Sequence, residues 1–111
     1  MDNEMNLYQI ATGRTDNHTS GQEALANFGL GIGGEAGEVQ DIIKKHLFHG
    51  HPLDKDKIRG ELGDVLWYIA RIAEWSGITL DEVAQGNIDK LKRRYPEGFD
   101  KEKSINREEN E

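Results

Sequence analysis

Apolar residues recur three and four positions apart along most of this chain, a spacing that predicts helices rather than strands. A short first helix is predicted over residues 4–13, with Leu7, Ile10 and Ala11 on one side. Residues 14–21 are rich in turn and cap formers and read as a loop. A long helical pattern follows from Gln22 to about Phe48. At about 100° per residue, Phe28, Ile32, Val39, Ile42, Ile43 and Leu47 share one broad apolar arc. Glu35 lies inside that arc and Glu38 at its edge. The segment His49-Gly-His-Pro-Leu-Asp54 is a turn, with Pro52 ending any helix.

A third helix, capped by Asp54 or Asp56, is predicted to run to about Ser76. Its apolar face comprises Ile58, Leu62, Val65, Leu66, Ile69, Ile72 and Ala73, and Gly77 is its C-cap. Thr79 caps a fourth helix through about Arg94, with Glu82 completing a capping box, and Pro96 stops it. No segment alternates as a strand would. The fold class is therefore all-α, a four-to-five-helix bundle in a single domain over residues 1–99. Residues 100–111 form a charged tail short of apolar side chains, expected to be mobile or docked on a partner subunit.

Composition narrows the classes of function. At 111 residues the core is modest, so completion of the bundle by oligomerisation is a natural supplement. A net charge of −7 argues against a nucleic-acid partner, which needs a basic footprint. It leaves room for a small polyanion, because a bound metal reverses the local sign. With no cysteine, disulfides, thiolate metal sites and cysteine nucleophiles are excluded. No apolar run reaches the ~18 residues of a membrane span and no signal-peptide pattern opens the chain, so the expectation is a cytoplasmic protein without a membrane partner.

Two acidic pairs at helical spacing carry the chemistry. Glu35-x-x-Glu38 and Glu61-x-x-Asp64 each lie on or beside an apolar stripe, and 22 residues separate them. Residues three apart on a helix are neighbours, so two packed helices could gather four carboxylates. Such a cluster is costly unless a divalent cation sits within it, and oxygen-only ligation suits Mg²⁺ or Mn²⁺. Two further pairs, Glu97-x-x-Asp100 and Glu108-x-x-Glu111, lie in the polar tail and read as solvated charge.

Other motifs are weaker. Gly29-Leu-Gly-Ile-Gly-Gly34 matches G-x-G-x-x-G, but helix rather than strand precedes it, so it is no dinucleotide fingerprint. Gly29, Gly31, Gly33, Gly34 and Gly37 are better explained as clearance for a close helix or a ligand, since each costs about 1 kcal/mol in a helix interior. His46, His49 and His51 lack the regular four-ligand pattern of structural zinc, and His49 is instead a candidate at a substrate pocket. Lys45 projects from nearly the same side as Glu38. Asn87, Lys90 and Arg94 recur at i, i+3, i+7, a stripe of amide and cationic donors suited to phosphate. Tyr68 extends the Glu61/Asp64 series by one turn, and Trp67 and Tyr68 are aromatic surfaces for a base.

At these residues the sequence resembles the all-α nucleoside triphosphate pyrophosphohydrolases of the MazG-like superfamily, whose signature is E-x-x-E followed by E-x-x-D. Gly34-Glu-Ala-Gly-Glu-Val39 and Glu61-Leu-Gly-Asp-Val-Leu-Trp-Tyr68 resemble the two halves, and Lys44–His51 and Asn87–Pro96 extend the likeness over about residues 21–99. The resemblance implies that Glu35, Glu38, Glu61 and Asp64 bind Mg²⁺, with Mn²⁺ as a substitute. It implies hydrolysis of (deoxy)nucleoside triphosphates at the α-phosphorus to a nucleoside monophosphate and pyrophosphate, with Glu35 or Glu38 as general base. By the same resemblance Lys45, Tyr68, Asn87, Lys90 and Arg94 contact substrate, Trp67 lies near the nucleoside, and the chain forms a homodimer or homotetramer. A phosphoribosyl-ATP or dUTP-selective enzyme on the same scaffold, or a non-catalytic metal- or nucleotide-binding subunit, are the alternatives. A di-iron bundle is not supported, because no histidine follows a glutamate by three residues.

Overall fold

The computed structural model describes residues 3–107. Five α-helices are found among them: α1 (Glu4–Thr12), α2 (Gly21–Phe48), α3 (Lys55–Trp75), α4 (Leu80–Arg94) and α5 (Lys101–Ile105). A 3₁₀ turn, Gly13–Thr15, follows α1. No strand occurs among the described residues, so the fold is all-α. The chain divides into two compact units at Leu80/Asp81.

In the first unit the helix ends follow the local chemistry of the sequence. Asp54, not Asp56, caps α3, its Oδ1 accepting from the Asp56 and Lys57 amides at 3.0 and 3.2 Å. The Ser20 hydroxyl accepts from Glu23 at the start of α2. At the end of α3, Gly77 takes φ +78°, so the Gly77 and Ile78 amides donate back to Glu74 and Ala73. That reversal satisfies carbonyls the helix would otherwise leave open.

α2 and α3 form an antiparallel hairpin. Early α2 meets late α3, as where Gly21 faces Trp75 and the Phe28 ring meets Tyr68 at 5.8 Å. The fully buried apolar residues here are Ala24, Phe28, Ala70, Ala73 and Leu80. Leu62 and Leu66, expected on the buried face of α3, stay substantially exposed. They share a stripe with the buried Ala70 and Ala73 nearer the end of α3, so the burial of that face is confined to its C-terminal half.

α1 also turns differently from its apolar pattern. Leu7, Ile10 and Ala11 face outward, and Gln9 and Thr12 are buried instead. The α3–α4 turn explains this. Gln9 Nε2 donates to the Ile78 carbonyl at 3.0 Å, and its Oε1 accepts from the Leu80 amide at 2.6 Å. Buried backbone groups need partners, and an amide side chain serves both at once.

Thr12 joins a second polar network centred on Asp16, whose side chain is 1% exposed. Asp16 Oδ2 accepts from Arg71 Nε at 2.9 Å and from the Trp75 indole at 2.8 Å. Its Oδ1 accepts from the His18 amide and meets His18 Nδ1 at 2.9 Å. Arg71 Nη1 donates in turn to Thr12 Oγ1 at 3.2 Å. Burial by itself would raise the Asp16 pKa, but the hydrogen bonds from Trp75, His18 and Arg71 outweigh it and hold the carboxyl well below the usual range. This network fastens the 14–20 loop to α3.

The second unit contains α4 from Asp81 onward and α5, which Asp100 caps through the Glu102 and Lys103 amides. The charged tail thus includes a five-residue helix rather than being wholly irregular. The tail pair Glu108/Glu111 lies outside the described residues.

Candidate metal centre

The close approach of α2 and α3 is set one turn away from the acidic residues. Gly31 lies against the Tyr68 ring, where a Cβ would fall 2.7 Å from Tyr68 Cε1. One turn further along α2 is Glu35, and one turn back along α3 is Asp64. The antiparallel hairpin therefore brings the two acidic pairs face to face. Of the five glycines between Gly29 and Gly37 only Gly31 provides clearance against a neighbour, since Gly29, Gly33, Gly34 and Gly37 have no atom within 4 Å of a would-be Cβ.

Carboxylate oxygens of Glu35, Glu61 and Asp64 all lie within 4.8 Å of one another. Two oxygens on opposite sides of an Mg²⁺ at ~2.1 Å are about 4.2 Å apart, so small side-chain adjustments would let the three share one ion. Their donor chemistry, all hard oxygen, suits a divalent cation. Glu38 stands beside this group rather than within it. Its charge nevertheless reaches Glu61, whose pKa is raised by burial first and then by Asp64, Glu38 and Glu35. A carboxylate held among carboxylates is what a cation would relieve. Tyr8 on α1 also approaches, its phenol pKa raised by burial and by the Asp64 charge.

On the loop side, a cleft of about 340 Å³ opens from the acidic group between Glu38, Lys45, His51, Lys57 and Glu61. Lys45 Nζ is paired with Asp41 at 2.8 Å on an exposed face of α2. That contact comes first among the causes raising the Lys45 pKa, and the Glu38 charge adds to it. His49, by contrast, does not line this cleft, and its backbone amide donates to the Lys45 carbonyl at the end of α2. His51 faces the cleft in its place. Among the described residues the convergent set of metal-ligating atoms contains no histidine.

Trp67 belongs to the packing between the helices. Its indole donates to Thr15 Oγ1 at 2.8 Å, and its ring meets Phe28 and Tyr68 edge-on at 5.2 and 5.3 Å. Asn87, Lys90 and Arg94 lie along α4 at the expected helical spacing, in the second unit.

Residues 24–99 match the MazG nucleotide pyrophosphohydrolase domain family. The chain belongs to that family. The acidic pairs on α2 and α3 and the stripe on α4 all fall within the matched segment. This MazG domain is also similar to the "Gene 37 protein" of Mycobacterium phage L5, 33% identical over 103 residues, covering 85% of this chain and 90% of that protein. No solved structure gives a significant match. No helix among the described residues is long and apolar enough to cross a membrane.

Two further residues carry signals in the sequence. Lys57 precedes Glu61 by four and so continues the Glu61/Asp64/Tyr68 face backwards. Arg71 interrupts an apolar stripe, and a buried guanidinium calls for an acid. Which acid it finds, Asp16, is a long-range fact that no local pattern carries.

Proposed function

We propose that this MazG domain hydrolyses ribo- or deoxyribonucleoside triphosphates at the α-phosphorus, with Mg²⁺, to a nucleoside monophosphate and pyrophosphate. The observation that carries the reading is the convergence of Glu35, Glu61 and Asp64 from two helices within 4.8 Å. Glu35, Glu38, Glu61 and Asp64 hold the cation, and Mn²⁺ can replace Mg²⁺. Bound there, the cation supplies Lewis-acid polarisation of phosphoryl oxygens and lowers the pKa of a water.

The chain's own groups do the rest. Glu35 or Glu38 accepts the proton of the attacking water as its oxygen bonds to the α-phosphorus. The bond from that phosphorus to the bridging oxygen breaks, and its electron pair leaves with pyrophosphate. Lys45, Asn87, Lys90 and Arg94 contact phosphate and sugar, and Tyr68 contacts the nucleoside. Trp67 supports Tyr68 from behind, consistent with its bond to Thr15. His49 has a lesser claim on substrate, since it does not line the cleft beside the acidic group.

The reading extends to a cytoplasmic enzyme of nucleotide-pool housecleaning, acting on free nucleotides and not on nucleic acid or membranes. It also includes a homodimer or homotetramer, supported by Leu30, Leu47 and Phe48 of α2, which are 84%, 63% and 78% exposed in the single chain. The test is an assay of all eight common ribo- and deoxyribonucleoside triphosphates with Mg²⁺, with products identified. Monophosphate plus pyrophosphate supports it. Diphosphate plus phosphate, or no turnover, overturns it. Activity confined to dUTP, or to phosphoribosyl-ATP assayed alongside, would assign a selective enzyme on the same scaffold.

A further inference from the structure

The acidic group divides the α2–α3 hairpin into two chemically different ends. Beyond Asp64, toward the end of α3, the lining is aromatic, with Tyr68 packed on Phe28 and Trp67. Arg71 at that end is not available to a phosphate, because it is committed to Asp16 and its side chain is 8% exposed. In the other direction, toward the loop, lies the cleft with Lys45, His51 and Lys57.

We infer that this cleft is the pyrophosphate subsite, taking the two outer phosphates of the substrate while the nucleoside points to the Phe28–Tyr68 end. The inference rests on the function proposed above and gives the substrate a direction along the hairpin. Glu61 lines the cleft and belongs to the acidic group, and Glu38 beside that group lines the cleft as well, so the two spaces are continuous. Lys57 stands one turn from Glu61 on the same face of α3, about 6 Å along the axis, within reach of a diphosphate. Among the described residues its ammonium makes no ion pair. Lys45 is held by Asp41 in an exposed pair, a contact weak enough to exchange for a phosphate.

The floor of the cleft is built in place. The His51 amide donates to the Lys45 carbonyl at 3.2 Å, and His46 Nδ1–H donates to the His51 carbonyl at 2.8 Å. The same walls carry Glu38, Glu61 and Asp54. Their charge repels a bare polyphosphate, so pyrophosphate binds only when a divalent cation is present.

The test is calorimetric titration of the full-length chain with inorganic pyrophosphate, and separately with the four deoxynucleoside monophosphates, with and without Mg²⁺. In Lys57→Gln, loss of a charge-assisted contact weakens pyrophosphate about tenfold or more. Monophosphate binding stays within about twofold, and Lys57→Arg recovers most of the loss. Tyr68→Ala gives the reverse pattern. Unchanged pyrophosphate affinity in Lys57→Gln, or equal weakening of both ligands, overturns the subsite. If the wild-type chain hydrolyses nucleotides while Lys57→Gln binds pyrophosphate normally, the direction is wrong and the function stands. If the wild type neither hydrolyses any triphosphate nor binds either product, both readings fall together.

Discussion

The ring of Tyr68 rests on the bare backbone of Gly31, so closely that a methyl group there would fall 2.7 Å from Cε1. Gly31→Ala sets about 1 kcal/mol of helix propensity gain against about 1–3 kcal/mol of overpacking. The expected result in the wild-type background is net destabilisation. With Tyr68→Ala the overpacking disappears, and the same substitution should stabilise by about 1 kcal/mol. Thermal unfolding of the four proteins of this double-mutant cycle checks the change of sign. An equal effect in both backgrounds would mean that Gly31 does not index the helices.

Asp16→Asn should cost about 3–5 kcal/mol, because it leaves the Arg71 guanidinium buried without its counter-charge. The pH dependence follows from the same carboxylate. Its folded pKa is depressed, so the stability it contributes is present above the unfolded value of about 4 and is lost as pH falls below that. Denaturant midpoints measured from neutral to acid pH should fall more steeply in the wild type than in the variant.

Gln9→Ala removes the partner of two backbone groups, the part-buried Ile78 carbonyl and the buried Leu80 amide. The expected loss is about 1–3 kcal/mol, larger than for Ile10→Ala on the exposed side of the same helix. Chemical denaturation of the two variants tests whether α1 is held by its amide rather than by its apolar residues.

Glu38→Gln or Asp64→Asn should reduce Mg²⁺-dependent hydrolysis about a thousandfold or more, with far-ultraviolet circular dichroism near wild type. Full activity in either would sink the four-carboxylate assignment. Glu61 adds a sign that structure alone predicts. Burial and its acidic neighbours raise its pKa, so the folded metal-free chain holds this proton more tightly than the unfolded one, and stability falls as pH rises through that raised value. Glu61→Gln should therefore raise the melting temperature of the metal-free protein while abolishing the further rise that Mg²⁺ gives the wild type. Since protons and cations compete for these oxygens, Mg²⁺ affinity in the wild type should increase with pH.

How far the sequence reaches can be judged from individual residues. Local chemistry is legible: Asp54 as a cap, Gly77 as a left-handed stop and Pro96 beyond the end of α4 are all where short-range rules put them. The facing of Glu35 on Glu61 and Asp64 follows from two helical stripes joined by a short turn. The inward turn of Gln9 was hidden, because it answers a need at the α3–α4 turn some 70 residues away in the chain, and that of Thr12 because it meets Arg71 of α3. Likewise, among Gly29, Gly31, Gly33, Gly34 and Gly37 the pattern could not say which one carries the contact with Tyr68. That depended on where Tyr68 falls across the hairpin.

The contact between Gly31 and Tyr68 has a bearing on how such a site can change. Because it aligns the two helices from within, the connecting segment from His49 to Asp54 is released from the task of measuring register. Residues could be added or removed there without sliding the carboxylates past one another. The same segment forms the floor of the cleft, so its length and composition would alter what fits beyond the acidic group. One part of the hairpin keeps the geometry of the carboxylates fixed, and another is left free to vary what the cleft admits.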